Sequence, residues 1–213
     1  MQVSETANEG RLKVRREELL SAAATIFFEQ GYAATRIDDI IERTGGSKRN
    51  IYSEFGNKEG LFAAIISEQA SRALSALTID NVAGQSLEEI LLDFGHRLID
   101  IYMSPALLGV YRIAITEFAR FPELVRRFYA LGPGRAAATL ADVLEAAKAR
   151  GDIRVDDCIM AGDHFVGMIR GNMHLHVMLG LREPPDARER RQFVASVVEL
   201  FLNGMRFGEP ART

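Results

Sequence analysis

Residues 35–58 read Thr-Arg-Ile-Asp-Asp-Ile-Ile-Glu-Arg-Thr-Gly-Gly-Ser-Lys-Arg-Asn-Ile-Tyr-Ser-Glu-Phe-Gly-Asn-Lys. Ile37, Ile40 and Ile41 fall at i, i+3 and i+4, the spacing that gathers apolar side chains on one side of a helix. Thr35 can cap that helix, because its hydroxyl can accept from a first-turn amide. Gly45 follows the last periodic residue, where a left-handed residue commonly ends a helix. Ser47 then caps a second helix, in which Ile51 and Phe55 are four apart and share a face. With Ile51 set at zero, the helical repeat puts Phe55 at about 40°, Arg49 at about 160° and Ser53 at about 200°. The apolar seam thus lies opposite Arg49 and Ser53, and Lys48, Asn50 and Tyr52 complete the outward set. Two short helices joined by a glycine turn, the second with cationic and hydrogen-bonding residues outside, are how a helix-turn-helix meets the major groove of DNA.

Phosphate contacts have natural places here. Lys48 stands in the first turn of the second helix, where backbone amides also favour an anion. Asn57 can cap the following helix, and Lys58 begins it. The competing reading is an ordinary helical hairpin with a solvated charged face. The agreement of caps, turn, seam and outward residues favours DNA.

The stretch Arg16-Glu-Glu-Leu-Leu-Ser-Ala-Ala-Ala-Thr-Ile-Phe-Phe-Glu-Gln-Gly-Tyr-Ala-Ala-Thr35, continued through Tyr52-Ser-Glu-Phe-Gly-Asn-Lys-Glu-Gly-Leu-Phe62, resembles the TetR family of bacterial transcriptional regulators. Phe27, Gly31-Tyr32, Thr35, Ile40, Gly45, Ser47, Ile51-Tyr52, Phe55, Lys58-Glu59 and Leu61-Phe62 carry the likeness. It implies an all-α protein, with a three-helix DNA-binding head and a helical ligand-binding and dimerising body. It also implies backbone contacts from Thr35, Arg36, Tyr52 and Lys58, and base or backbone contacts from Lys48, Arg49, Asn50 and Ser53. An arginine can read guanine bidentately and an asparagine adenine. Two residues depart from the family pattern. Gly46 stands where valine is usual, which removes a core contact. Glu54 stands where many members carry a neutral or basic residue. Its carboxylate is repelled by phosphate unless it accepts from a cytosine amine or pairs with a neighbour such as Asn50 or Lys58.

At 213 residues, 47% hydrophobic and 26% charged, the chain has ordinary globular composition. A net charge of −3 excludes a polycationic coat for nucleic acid but not a local basic patch. Arg36, Arg43, Lys48, Arg49 and Lys58 supply one. Arg11, Lys13, Arg15 and Arg16 form a basic arm, which either follows the minor groove or phosphates or stays a solvated tail. The single cysteine, Cys158, excludes an internal disulfide; it reads as a small hydrophobe on a helix rather than a redox sensor. Residues 1–10 are polar and no apolar run is long enough to span a bilayer, so neither a signal peptide nor a membrane partner is expected, and a cytoplasmic location is.

Helical periodicity continues to the end. The expected organisation is a disordered arm over 1–10, the helix-turn-helix domain over 11–56, a connecting helix over 57–79, and an effector-binding and dimerisation domain over 80–213. Ser86-Leu-Glu-Glu89 is a capping box. Helices are expected from Pro105 and from Pro122, the latter kinked or broken at Gly132-Pro-Gly134. Asp156 or Asp157 should cap a long helix ending near Gly180, and Asp186-Ala-Arg-Glu189 should open the last, to about Phe207. Residues 117–129 resemble the C-terminal domains of the AefR/AcrR-like branch of the family.

That resemblance implies an effector pocket in the body, with candidates Phe94, His96, Tyr102, Tyr111, Phe118, Phe128, His164, Phe165, Met168 and Asn172. Their composition fits a mainly apolar or aromatic ligand, and plain core packing is the alternative for each. The dimer candidates are Gly167, Gly171, Phe193, Val194, Val197, Val198, Phe201 and Leu202 on the last two long helices, with internal packing again the alternative. His174 and His176 point about 200° apart on a helix and cannot share an ion. No metal, cofactor or catalytic constellation is expected. The function expected is a sequence-specific DNA-binding regulator, a homodimeric repressor released from a pseudo-palindromic operator by an unknown small molecule. The alternatives are an activator with the same head, or a helical ligand-binding protein or enzyme with a vestigial helix-turn-helix.

Overall fold

A computed structural model describes residues 2–77, 79, 84–117 and 119–205, and among them every regular element is a helix. In chain order these are α1 (Gln2–Gln30), α2 (Ile37–Thr44), α3 (Lys48–Phe55), α4 (Lys58–Ala76), α5 (Leu87–Tyr102), α6 (Pro105–Glu117), α7 (Pro122–Leu131), α8 (Pro133–Arg150), α9 (Cys158–Met178) and α10 (Ala187–Met205).

Most helix ends follow local chemistry. Ser86 and Glu89 close the capping box of α5: the Ser86 amide donates to Glu89 Oε2 at 2.8 Å, and the Glu89 amide to Ser86 Oγ at 3.2 Å. Asn57 accepts from the Gly60 amide at 2.8 Å and opens α4. Asp157, not Asp156, caps α9, accepting from the Met160 amide at 2.9 Å. Asp186 does the same for α10 through the Glu189 amide at 2.8 Å. Gly132, at φ −108° and ψ −101°, separates α7 from α8, with Pro133 as first helical residue. The expected break at Gly132-Pro-Gly134 is therefore a full helix boundary.

Three expectations change. The arm expected to be disordered over residues 1–10 belongs to α1, which begins at Gln2. Thr35 does not cap α2. The cap is Arg36, extended at φ −107° and ψ 147°, and its amide is closed by Asp39 Oδ2 at 3.1 Å. The long helix before Gly180 is interrupted at Gly171, which takes φ 49° and ψ −170°. Only glycine adopts that geometry cheaply, and the Phe193 ring lies 3.2 Å from where a Cβ would project.

The chain's packing groups residues 1–70 with 109–128, and residues 71–108 with 129–213. Inside the first unit α6 packs on α1 so closely that a Cβ on Gly109 would stand 2.4 Å from the Phe28 ring. Its centre is the aromatic cluster Phe27, Tyr32 and Phe62, with Ile26, Ile40, Ile51, Leu61 and Ile65 around it, all buried. Inside the second unit α8 crosses α9 at Gly162, whose added Cβ would meet the Ala137 carbonyl oxygen at 2.5 Å. Phe94 and Phe201 flank Phe165, with ring centroids 6.3 and 5.0 Å away. No single described helix is long and apolar enough to cross a membrane.

Candidate nucleic-acid interface

The sequence of α2 and α3 fixes which face of α3 turns outward. Ile37 and Ile40 are buried and Ile41 half-buried, seating α2 on α1. Gly45 ends α2 in the left-handed region, its amide donating to the Ile41 carbonyl at 2.8 Å. Ser47 Oγ accepts from the Asn50 amide at 3.2 Å and caps α3, which begins at Lys48. Ile51, 1% exposed, is the anchor of α3, and Phe55 beside it is half-buried. Burying one such side chain contributes about 1.5–3 kcal/mol. Lys48, Arg49, Asn50, Tyr52 and Ser53 are then all exposed, as the helical spacing requires.

Charge is distributed unevenly over this face. Lys48 Nζ pairs with Asp38 Oδ1 at 2.7 Å, and Arg36 approaches the same carboxylate at 3.7 Å. Arg43 pairs with Glu29 at 3.1 Å. These pairs are solvent-exposed and contribute about 0–1 kcal/mol each, so a phosphate can displace the carboxylate at small cost. Among the described residues Arg49 engages no partner, which leaves its five donors for an acceptor outside the chain.

Glu54 pairs with neither Asn50 nor Lys58. Its Oε1 accepts from Arg16 Nε at 2.8 Å, while Arg16 also reaches Glu68 at 3.8 Å and lies 5.7 Å from the Phe55 ring centroid. The carboxylate is thereby neutralised from α1, and Arg16 of the basic arm is committed to tying α1, α3 and α4. A groove of about 610 Å³ runs here, bordered by Arg15, Arg16, Arg43, Gly46, Asn50, Ser53 and Glu54. The small side of Gly46 helps to open it: a Cβ there would meet only Thr44 Oγ1, at 3.5 Å.

Two expected phosphate ligands are placed differently. Thr35 is 1% exposed and its hydroxyl donates to the Gly31 carbonyl at 2.8 Å, so its side chain is spent inside the loop between α1 and α2. Lys58 is half-buried; its ammonium donates to the Ala33 carbonyl at 3.2 Å and sits 4.6 Å from the Tyr32 ring centroid. Burial, then the neighbouring Arg120, lowers the Lys58 pKa. Burial, then Glu59, raises that of Tyr32. No periodicity in the sequence links Arg16 to Glu54 or Lys58 to Tyr32, because the first pair joins α1 to α3 and the second joins α4 to the loop between α1 and α2.

The residues expected to line an effector pocket do not form one group. Phe94, Tyr102 and Phe165 are core residues of the second unit, and Tyr102 meets His174 edge-on at 5.4 Å. Tyr111 and Phe128 pack edge-to-face at 5.1 Å in the first unit. His96 and Met168 are half-buried, while His164 and Asn172 are exposed. Phe118 lies outside the described residues. The dimer candidates on α10 are placed as follows. Val194, Val197, Val198, Phe201 and Leu202 are all buried in the chain's own core, since α10 packs on α5 and α9. Phe193 packs towards Gly171. Gly167 and Phe201 border a surface groove of about 620 Å³ with His164, Met168, Leu200 and Gly204, and a Cβ on Gly167 would meet nothing within 4 Å. His174 is buried and His176 exposed, and no group of three potential metal ligands occurs among the described residues. Burial pushes the Cys158 thiol above its ordinary pKa, which keeps it protonated.

This geometry has counterparts. Residues 19–65 match the family described as bacterial regulatory proteins, tetR family, and residues 89–204 match the AefR-like transcriptional repressor C-terminal domain. The transcriptional repressor ComR of Escherichia coli K12 is 42% identical over 64 residues, 30% of this chain and 30% of ComR. The chain thus spans under half the length of the first curated relatives it matches. The flavonoid-responsive regulator FrrA is 29% identical, with 94% of this chain and 100% of that one covered and a TM-score of 0.75. A TetR-family transcriptional regulator from Mesorhizobium loti MAFF303099 is 27% identical over 92% and 98% of the two chains, with a TM-score of 0.81. The relatives are transcriptional regulators, not enzymes.

Proposed function

The chain belongs to the TetR family of bacterial regulatory proteins, and from that premise we propose that it is a homodimeric repressor released from its operator by a small ligand. DNA binding itself comes with the family. The observation that carries DNA contact through α3 is its outer face: Arg49 and Ser53 are exposed opposite the buried Ile51, and Arg49 engages no partner among the described residues. Arg49 and Asn50 are assigned to base edges, and Arg36, Lys48, Tyr52 and Lys58 to the sugar-phosphate strand. Ser53 serves either.

Repression at an inverted repeat needs two heads, and α9 and α10 offer a surface for a second copy. Ile159, Met160, Leu175, Leu179 and Leu200 are between 44% and 70% exposed. Exposed apolar groups of this size on α9, its C-cap Leu179 and α10 favour an interface between copies. The effector is assigned to an apolar or aromatic class; the name of the flavonoid-responsive relative supports that class. It must bind the non-operator state more tightly, since equal affinity shifts nothing. The site of action follows the DNA, in the cytoplasm.

Selection of bound duplexes from a random pool tests the assembly. The expected outcome is an inverted repeat with half-sites about 34–36 Å or a multiple apart. Enrichment of a lone half-site, or of nothing, contradicts it. Deleting the gene should raise expression from the selected site; a fall would make the protein an activator. A flavonoid panel should raise the melting midpoint, because a ligand that binds only the native state stabilises it.

A further inference from the structure

The ring of Tyr32 is shared by two cations. Lys58 Nζ stands 4.6 Å from its centroid, and the Arg120 guanidinium carbon 6.0 Å. The ring is fixed from the other sides. Phe27 stacks on it at 5.7 Å, Phe62 tilts against it at 5.1 Å, and Phe121 meets it edge-on at 4.9 Å. Arg120 lies 5.2 Å from the Phe121 ring as well. Both residues come from the turn that closes α6, where the amides of Arg120 and Phe121 donate to the Glu117 carbonyl at 3.0 and 2.9 Å. All of these residues belong to the first compact unit.

Lys58 has one acceptor there, the Ala33 carbonyl, and forms no ion pair among the described residues. An aromatic face attracts a cation, but a second cation beside the same face repels the first. Arg120 is exposed and keeps its hydration; Lys58 is half-buried and gives up part of its own. The ammonium is therefore the cation with more to gain by leaving. Burial and then Arg120 lower the Lys58 pKa, and the Glu117 carboxylate offsets only part of that lowering.

We infer that Arg120 is a positioning residue for DNA binding: it crowds Lys58 on the Tyr32 ring and so biases the ammonium outward to a DNA phosphate. The inference rests on the assignment of Lys58 to a phosphate made above. When Lys58 leaves, Arg120 retains the ring face, so the aromatic cluster keeps one cation in either state. Arg120 touches no DNA in this scheme and acts only through Lys58.

A double-mutant cycle on the full chain separates these statements. The dissociation constant is measured by fluorescence anisotropy across a range of salt, on the duplex that the unmodified chain selects from a random pool. Lys58→Gln should weaken binding roughly tenfold and reduce the salt slope by about one. Arg120→Gln should weaken it roughly threefold with the slope unchanged, and should have no effect once Lys58 is already glutamine. Arg120→Lys, which keeps the charge, should restore binding. If Lys58→Gln alters neither affinity nor slope, the phosphate assignment fails and the inference falls with it. If Lys58→Gln behaves as expected but Arg120→Gln does nothing, costs the same in both backgrounds, or itself reduces the slope by about one, Arg120 is not a positioning residue.

Discussion

Helices α3 and α10 both carry an apolar stripe at helical spacing, and the two stripes mean the same thing while the faces opposite them do not. In α3 the stripe is short: Ile51 buried and Phe55 half-buried. In α10 it is long: Val194, Val197, Val198, Phe201, Leu202 and Met205, all buried. Each stripe marks where the helix meets its own chain. What a helix offers to a partner is on its other side. For α3 that side is Arg49 and Ser53. For α10 it includes Leu200, 63% exposed. A stripe wide enough to look like an interface is, in a chain of this size, first of all a core.

The comparison is most easily broken at α10. Val198→Asp should abolish folding of the second unit, because an unpaired carboxylate at a 2% exposed site costs at least several kcal/mol. Leu200→Asp, two residues on, should leave the fold intact and convert dimer to monomer in sedimentation. A stable monomer from Val198→Asp would instead make the buried stripe the interface.

The next effect is on the body alone and depends on pH. Burial, reinforced by Arg170, pushes His174 down to about 4 from an ordinary 6.5. Between those values the unfolded chain holds a proton that the folded chain does not. Stability is therefore full above about 6.5 and falls as the pH drops towards about 4, by roughly 3 kcal/mol in all. Denaturant titrations at several pH values should show that slope, and His174→Gln should flatten it. An unchanged slope in the variant assigns the acid sensitivity to other groups.

The smallest effect sharpens the α3 side. Gly46→Ala should raise the melting midpoint, by about 0.4–1 kcal/mol of stability, because its Cβ has room and the unfolded chain loses freedom. Destabilisation would mean that the turn between α2 and α3 needs glycine at this position as well as at Gly45.

The sequence made some of this legible and concealed the rest for physical reasons. Caps are local chemistry, so Ser47, Asn57, Ser86 and Asp186 could be read directly, as could the break at Gly132-Pro-Gly134. The outward set on α3 followed from 3.6 residues per turn and one anchor, Ile51. Thr35 misled because it resembles a cap one residue too early, and only the extended geometry of Arg36 reveals the true one. Gly171 misled because a lone glycine inside a helical pattern does not announce whether the backbone will leave the helix. The links of Arg16 to Glu54 and of Tyr32 to Lys58 and Arg120 join separate elements and loops, and no spacing along the chain encodes them. Buried rings such as Phe94 and Phe165 looked like pocket lining because an aromatic residue is equally at home in a core.

Everything on the DNA side turns on Arg49. The direct measurement is retardation of the DNA flanking the protein's own gene, at low salt, by the unmodified chain and by Arg49→Ala, with melting curves for both. Retardation by the first, a loss of about 1–3 kcal/mol of binding in the second and melting midpoints that coincide are the predicted results. Equal retardation by both proteins, or none by either, would contradict the assignment of α3 to the major groove.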